Sequence, residues 1–125
     1  MNLSKIYIKS DSAFSQYITE WASRMNIDTE DYDVKVADHT ADGLVLINAN
    51  QDISRDIDEL HSLFDEKHIP TQKIDVNGTL QVAVSNLDLF LKNNKCKEVL
   101  IVGSDDLTQN ENLDRFFNTI AKTIA

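Results

Sequence analysis

The sequence is poor in the residues that staple, break or loosen a chain. Among 125 residues there are one cysteine (Cys96), one proline (Pro70) and three glycines. A single cysteine excludes an intramolecular disulfide and any Cys-x-x-Cys pair for zinc or redox chemistry, and it fits a reducing compartment. So few glycines and prolines exclude long flexible linkers, and with no repeats or low-complexity tracts one domain over residues 1–125 is expected. Positive charge is also short, with 12 Lys and Arg against 21 Asp and Glu and a net charge of -9. A nucleic-acid partner is thereby excluded, because phosphate contacts rely on Lys and Arg to release counterions. Long apolar runs are missing too. The longest aliphatic runs are Leu44 to Ile47 and Val99 to Val102, whereas a membrane-spanning helix takes about 20 apolar residues. Ile6 to Ile8 is far shorter than the roughly 7 to 15 apolar residues of a signal-peptide core. No membrane partner is expected, and the chain reads as cytoplasmic.

What is there is the mixture of a folded chain, 42% hydrophobic and 26% charged, unlike the low-hydrophobicity, high-charge profile of a disordered one. Short aliphatic runs alternate with stretches of helical period, which predicts alternating strands and helices. Lys5 to Lys9 reads as the first strand. Ser10 or Asp11 then caps a helix with Phe14, Tyr17, Ile18, Trp21, Ala22 and Met25 on one face. Asp28 to Asp33 has no apolar period and reads as a loop, followed by a short edge strand over Asp33 to Ala37 with Val34 and Val36 inward. Leu44 to Ile47, apolar without alternation, reads as a central strand covered on both faces.

Asp52 or Ser54 caps the next helix, with Ile53, Ile57, Leu60 and Phe64 in a stripe that Pro70 forbids from continuing. A strand over Thr71 to Val76 follows. Asn77-Gly78 is a hairpin signal, but a two-residue turn there would oppose Val76 to Thr79 and Ile74 to Gln81, putting polar residues on the apolar face. A helix capped near Thr79, with Leu80, Val84, Leu87 and Leu91 on one side, avoids that. Glu98 to Val102 is the second fully aliphatic strand. Leu113, Phe116, Phe117, Ile120, Ala121 and Ile124 then form the stripe of a last helix. The expected fold is α/β, a three-layer Rossmann-like or flavodoxin-like arrangement with a mostly parallel sheet of four to five strands and helices on both faces.

In such sheets ligands bind beyond the carboxyl ends of the strands. The loops there are Ser10 to Ser12, Asn48 to Arg55, Asp75 to Thr79 and Gly103 to Asn110. The chain has no G-x-G-x-x-G and no P-loop pattern, but NANQDISRD offers amides, a serine and Arg55 to an anion at a helix start. The ligand contacts expected are Asn48, Asn50, Ser54, Arg55, Ser104 and Asp105. Asp11, Asp52, Asp105 and Asp106 could converge on Mg²⁺, but helix capping accounts for Asp11 and Asp52 equally, and no metal site is assigned. His61 and His68 lie two helical turns apart, too far for one zinc, and His39 precedes the aliphatic strand, at the opposite sheet end. Cys96 is also at that end, and no serine sits in a G-x-S-x-G elbow. Trp21, Phe116 and Phe117 are spaced as core residues.

The stretches ADGLVLINANQDISRDIDEL, IPTQKIDV and KEVLIVGSDD, from Ala41 to Asp106, resemble the core of the molybdenum-cofactor carrier proteins. These belong to the wider Rossmann-like group that includes the LONELY GUY phosphoribohydrolases. The resemblance implies a Rossmann-like fold with a ligand held by the loops after its strands. The group's glycine-glycine-threonine phosphate turn falls near Ile53 to Asp56, where this chain has Ile-Ser-Arg-Asp, and no match to the hydrolase's catalytic Arg and Glu is present. The expected function is therefore non-catalytic binding of a small, anionic or nucleotide-like ligand, with no cofactor assigned. The alternatives are an interaction module that keeps the fold, loses the pocket and docks a protein partner, or a phosphoribohydrolase-like enzyme.

Overall fold

A computed structural model describes residues 3–9, 12–32, 41–50 and 53–124. Five strands are present among these residues: β1 (Lys5–Ile8), β2 (Asp28–Asp31), β3 (Gly43–Asn48), β4 (Thr71–Asp75) and β5 (Glu98–Val102). They alternate with α1 (Ala13–Arg24), α2 (Arg55–Glu66), α3 (Leu80–Asn93) and α4 (Glu111–Ile124), and a 3₁₀ turn over Asp105–Gln109 precedes α4. The strands form one parallel sheet in the order β2-β1-β5-β3-β4. The chain thus has the Rossmann-like α/β architecture expected from its pattern, and the Asn77-Gly78 dipeptide leads into helix α3, not a hairpin.

The sheet's two faces are covered unequally. Ile6, Val45, Ile47, Val99 and Ile101 share a core with Phe14 and Trp21 of α1, Leu87 and Phe90 of α3, and Phe116 and Ile120 of α4. On the other face Tyr7, Leu44, Leu46, Leu100 and Val102 pack with Ile57 and Phe64 of α2. Every residue of β3 is buried, which explains its unbroken apolar run. The aromatic residues Trp21, Phe116 and Phe117 are core, with the Trp21 indole donating to the Phe117 carbonyl at 3.1 Å.

Several local expectations change. Asp28 to Asp31, read as loop, is the edge strand β2, paired in parallel with β1. An edge strand needs no apolar face once its backbone is paired, and Lys5 between Glu30 (2.9 Å) and Glu98 (3.8 Å) offsets its acidity. The strand expected over Asp33 to Ala37 lies outside the described residues, as do Ser10, Asp11, His39 and Asp52. The N-cap of α1 is Ser12, whose side chain accepts from the Ser15 amide at 3.0 Å.

Helix ends are made without glycine. Asn26, His68 and Lys95 all take the left-handed conformation, at φ of 58°, 59° and 52°, one residue beyond the C-caps of α1, α2 and α3. The next amide then closes each end on a carbonyl five residues back: Ile27 to Ala22, Ile69 to Phe64 and Cys96 to Leu91. This is the Schellman closure, usually made with glycine at the left-handed position. It ends α2 at Glu66, before Pro70 can act.

Candidate functional site

The position of the site follows from where the chain leaves the sheet. From β3 it turns to α2 on one face, and from the neighbouring β5 it turns through the 3₁₀ turn to α4 on the other. Adjacent strands whose continuations part in this way leave a crevice at their carboxyl ends. A polar cleft of about 320 Å³ lies there, lined by Lys9, Ser12, Ser54, Asp56, Ile57, Gly103, Ser104 and Asp105. A second, mainly apolar cleft of about 390 Å³ opens on the α2 side of the sheet, lined by Tyr32, Leu60, Leu63, Leu100 and Glu59, and again by Lys9 and Asp56. Tyr32 is held there by ring contacts with Tyr7 (5.4 Å between centroids) and Phe64 (5.6 Å). Burial raises its phenol pKa.

Lys9 and Asp56, which line both clefts, are joined by an ion pair. The Ser54 hydroxyl donates to the other carboxylate oxygen of Asp56 at 2.7 Å. The Lys9 hydrogen bond, reinforced by that of Ser54, pulls the Asp56 carboxyl down to about 2. Among the described residues Lys9 is the one cation lining either cleft, alongside the carboxylates of Asp56, Glu59 and Asp105.

Asp105 accepts from the Phe14 amide at 3.1 Å, so its carboxylate caps α1 from across the cleft. Gly103 serves packing: a Cβ there would meet the Phe14 ring at 2.8 Å and Leu107 at 2.9 Å. Of the ligand contacts expected from the sequence, Ser54, Ser104 and Asp105 line the polar cleft together. Asn48 is buried at the end of β3. Asn50 adopts φ of 57° and donates its amide to Asp75 at 3.1 Å. Arg55, 93% exposed at its side chain, is paired with Glu59 at 3.3 Å. These three do not line either cleft. Asp106 is exposed and lines neither.

Lys9, Ser12 and Asp56 were not singled out by the sequence, although Lys9 directly follows β1 at the carboxyl edge. An exposed lysine and a first-turn aspartate are commonplace in a sequence, and only their convergence distinguishes them. The apolar wall of Leu60, Leu63 and Leu100 was legible as core spacing, not as a cavity.

The fold is similar to a solved structure from Syntrophus aciditrophicus named "Putative molybdenum carrier protein", with a TM-score of 0.71 and 11% identity over 92% of this chain and 94% of that one. The likeness is one of fold. No protein-family model matches the chain, and no curated protein matches its sequence. Among the described residues no helix is long and apolar enough to cross a membrane.

Proposed function

We propose that this protein is a non-catalytic domain that binds a small ligand across the two clefts meeting at Lys9 and Asp56. The observation that carries this reading is the sharing of those two residues by a polar and an apolar cleft at the crevice between β5 and β3. Both volumes fall in the range of about 300 to 1,000 Å³ usual for small-molecule sites. Tyr32, Leu60, Leu63 and Leu100 offer a wall for a flat apolar body, such as a nucleobase or another ring. The Ser104 hydroxyl and Lys9 offer partners for its polar end, the Ser12 and Ser54 hydroxyls already donating to Ser15 and Asp56.

Two features favour binding over catalysis. A carboxylate held down at about 2, as Asp56 is, makes a poor general base near neutral pH. The structural neighbour is named a carrier, a binding role. A polyphosphate is disfavoured by electrostatics, because among the described lining residues Lys9 stands against Asp56 and Asp105, and Glu59 is already paired with Arg55. A single domain working in a reducing compartment is part of the proposal, supported by one sheet running through the chain and the free, buried thiol of Cys96.

Thermal-shift and calorimetric titration with nucleosides, nucleoside mono- and triphosphates and aromatic acids tests it. Ring-bearing compounds with at most one anionic group raise the melting temperature by mass action. Leu63→Asp, which puts a charge on the apolar wall, abolishes the shift. Triphosphates outperforming simpler compounds, or Leu63→Asp binding as the wild type does, would overturn the reading.

A further inference from the structure

Lys9 and Asp56 do more than border the clefts: they pair with each other where the two share their lining. Each residue lines both cavities, and their side chains meet in an ion pair supported by the Ser54 hydroxyl. A ligand spanning both clefts would lie against that pair. We propose that Asp56 holds the place of the ligand's own charged group, and that the ligand is an aromatic monocarboxylate that takes Lys9 from it. This rests on the binding site proposed above and assigns its ligand class.

Three observations carry it. The pair is exchangeable, because the Lys9 and Asp56 side chains are 49% and 60% exposed, and exposed ion pairs hold weakly. The exchange balances. Lys9 gives up one carboxylate for another, while Asp56 keeps the Ser54 hydroxyl and gains water. The surroundings also select the charge. Glu59, itself paired with Arg55, and Asp105, bonded to the Phe14 amide, flank the junction with no second lysine or arginine among the described lining residues. A phosphate monoester, carrying about -1.5 to -2 at neutral pH, adds repulsion that a single carboxylate does not. Behind Lys9, Tyr32, Leu60, Leu63 and Leu100 supply the apolar wall for a ring.

The test is an NMR titration of the full chain with benzoate, benzamide and phenyl phosphate, three compounds with one ring and different heads. The wild type should prefer benzoate to both of the others. Asp56→Asn, which keeps the shape and removes the competing charge, should tighten benzoate about tenfold, the scale of a close like charge. Lys9→Gln should bring benzoate down to the level of benzamide. Unchanged or weaker benzoate binding in Asp56→Asn overturns the proposal, as does a wild type that prefers phenyl phosphate. Benzoate and benzamide binding equally, with resonances of Leu60 and Leu63 shifted by both, removes the carboxylate assignment and leaves the cleft standing. If no compound moves those resonances in any variant, the cleft reading falls as well. Should Lys9→Gln not fold, the Asp56→Asn comparison decides alone.

Discussion

The carboxylate of Asp105, just past β5, accepts a hydrogen bond from the backbone amide of Phe14 in the first turn of α1, 3.1 Å away and 91 residues earlier in the chain. Together with Ser12, which takes the Ser15 amide, it satisfies amides that a helix start leaves unpaired. It also fixes α1 against the end of the central strand, so one wall of the polar cleft is set by a cap. Asp105→Ala should cost about 1 kcal/mol of stability, with Asp105→Asn costing less because an amide oxygen still accepts. Urea denaturation checks this; equal midpoints for Asp105→Ala and wild type would show that the cap contributes nothing.

Gly103→Ala should destabilise by about 1 to 3 kcal/mol through overpacking, because the added methyl meets the buried Phe14 ring and Leu107 at under 3 Å. Gly78→Ala should be neutral or stabilising by up to about 1 kcal/mol. Its nearest neighbour would be the Asp75 carbonyl at 3.4 Å, and its φ is not positive. Thermal unfolding of the two variants should move in opposite directions or differ widely.

Lys95→Gly and His68→Gly should each stabilise the protein, by up to about 1 kcal/mol. Both residues sit in the left-handed region at helix ends, where a side chain costs energy and glycine does not. Greater chain freedom in the unfolded state offsets part of the gain. A fall in melting temperature for both would show that their side chains contribute more than the backbone strain removes.

The Asp56 carboxyl is pulled down to about 2 by Lys9 and Ser54, below its ordinary value near 3.9. A lowered carboxyl pKa gives stability that is present above the unfolded value and lost as pH falls toward the folded one. Between about pH 4 and 2 the wild type should therefore lose more stability than Asp56→Asn. The difference should stay under about 1 kcal/mol for so exposed a pair and shrink in high salt. Chemical denaturation across that window measures it.

Burial, with a smaller contribution from Asp42, pushes the Cys96 thiol up to about 11. In the unfolded chain it returns to about 8.5. The thiol should therefore be inert to Ellman's reagent at pH 8 in the native protein and react on unfolding. Its contribution to stability is full below about pH 8.5 and is lost as pH rises through the folded value. Rapid labelling of the native protein would contradict the burial.

The candidate site was less legible than the fold. Ser54, Ser104 and Asp105 could be placed from the rule that ligands gather at the carboxyl edge, and they do meet in the polar cleft. Arg55 could not, because a residue at a helix start points inward or outward according to how the helix is rotated on the sheet. Here it is turned out to Glu59. Lys9 carries no signal in the sequence, because its partner is 47 residues away. Strand β2 was hidden in an acidic stretch because an edge strand carries little hydrophobic signal.

The sequence by itself determined the four helices and the strands β1, β3, β4 and β5, but not β2. The aliphatic runs of β3 and β5 had to be buried strands, and the stripes of α1 through α4 had to face a core, because hydrophobic period is a property of neighbouring residues. Tertiary structure alone decided that β5 lies between β1 and β3. That order brings Lys9 to Asp56 and Phe14 to Asp105. It also leaves α2 packed on one face while α1, α3 and α4 share the other, so the clefts open beside α2. Strand order depends on which distant faces bury one another best, and no local stretch of sequence encodes that choice.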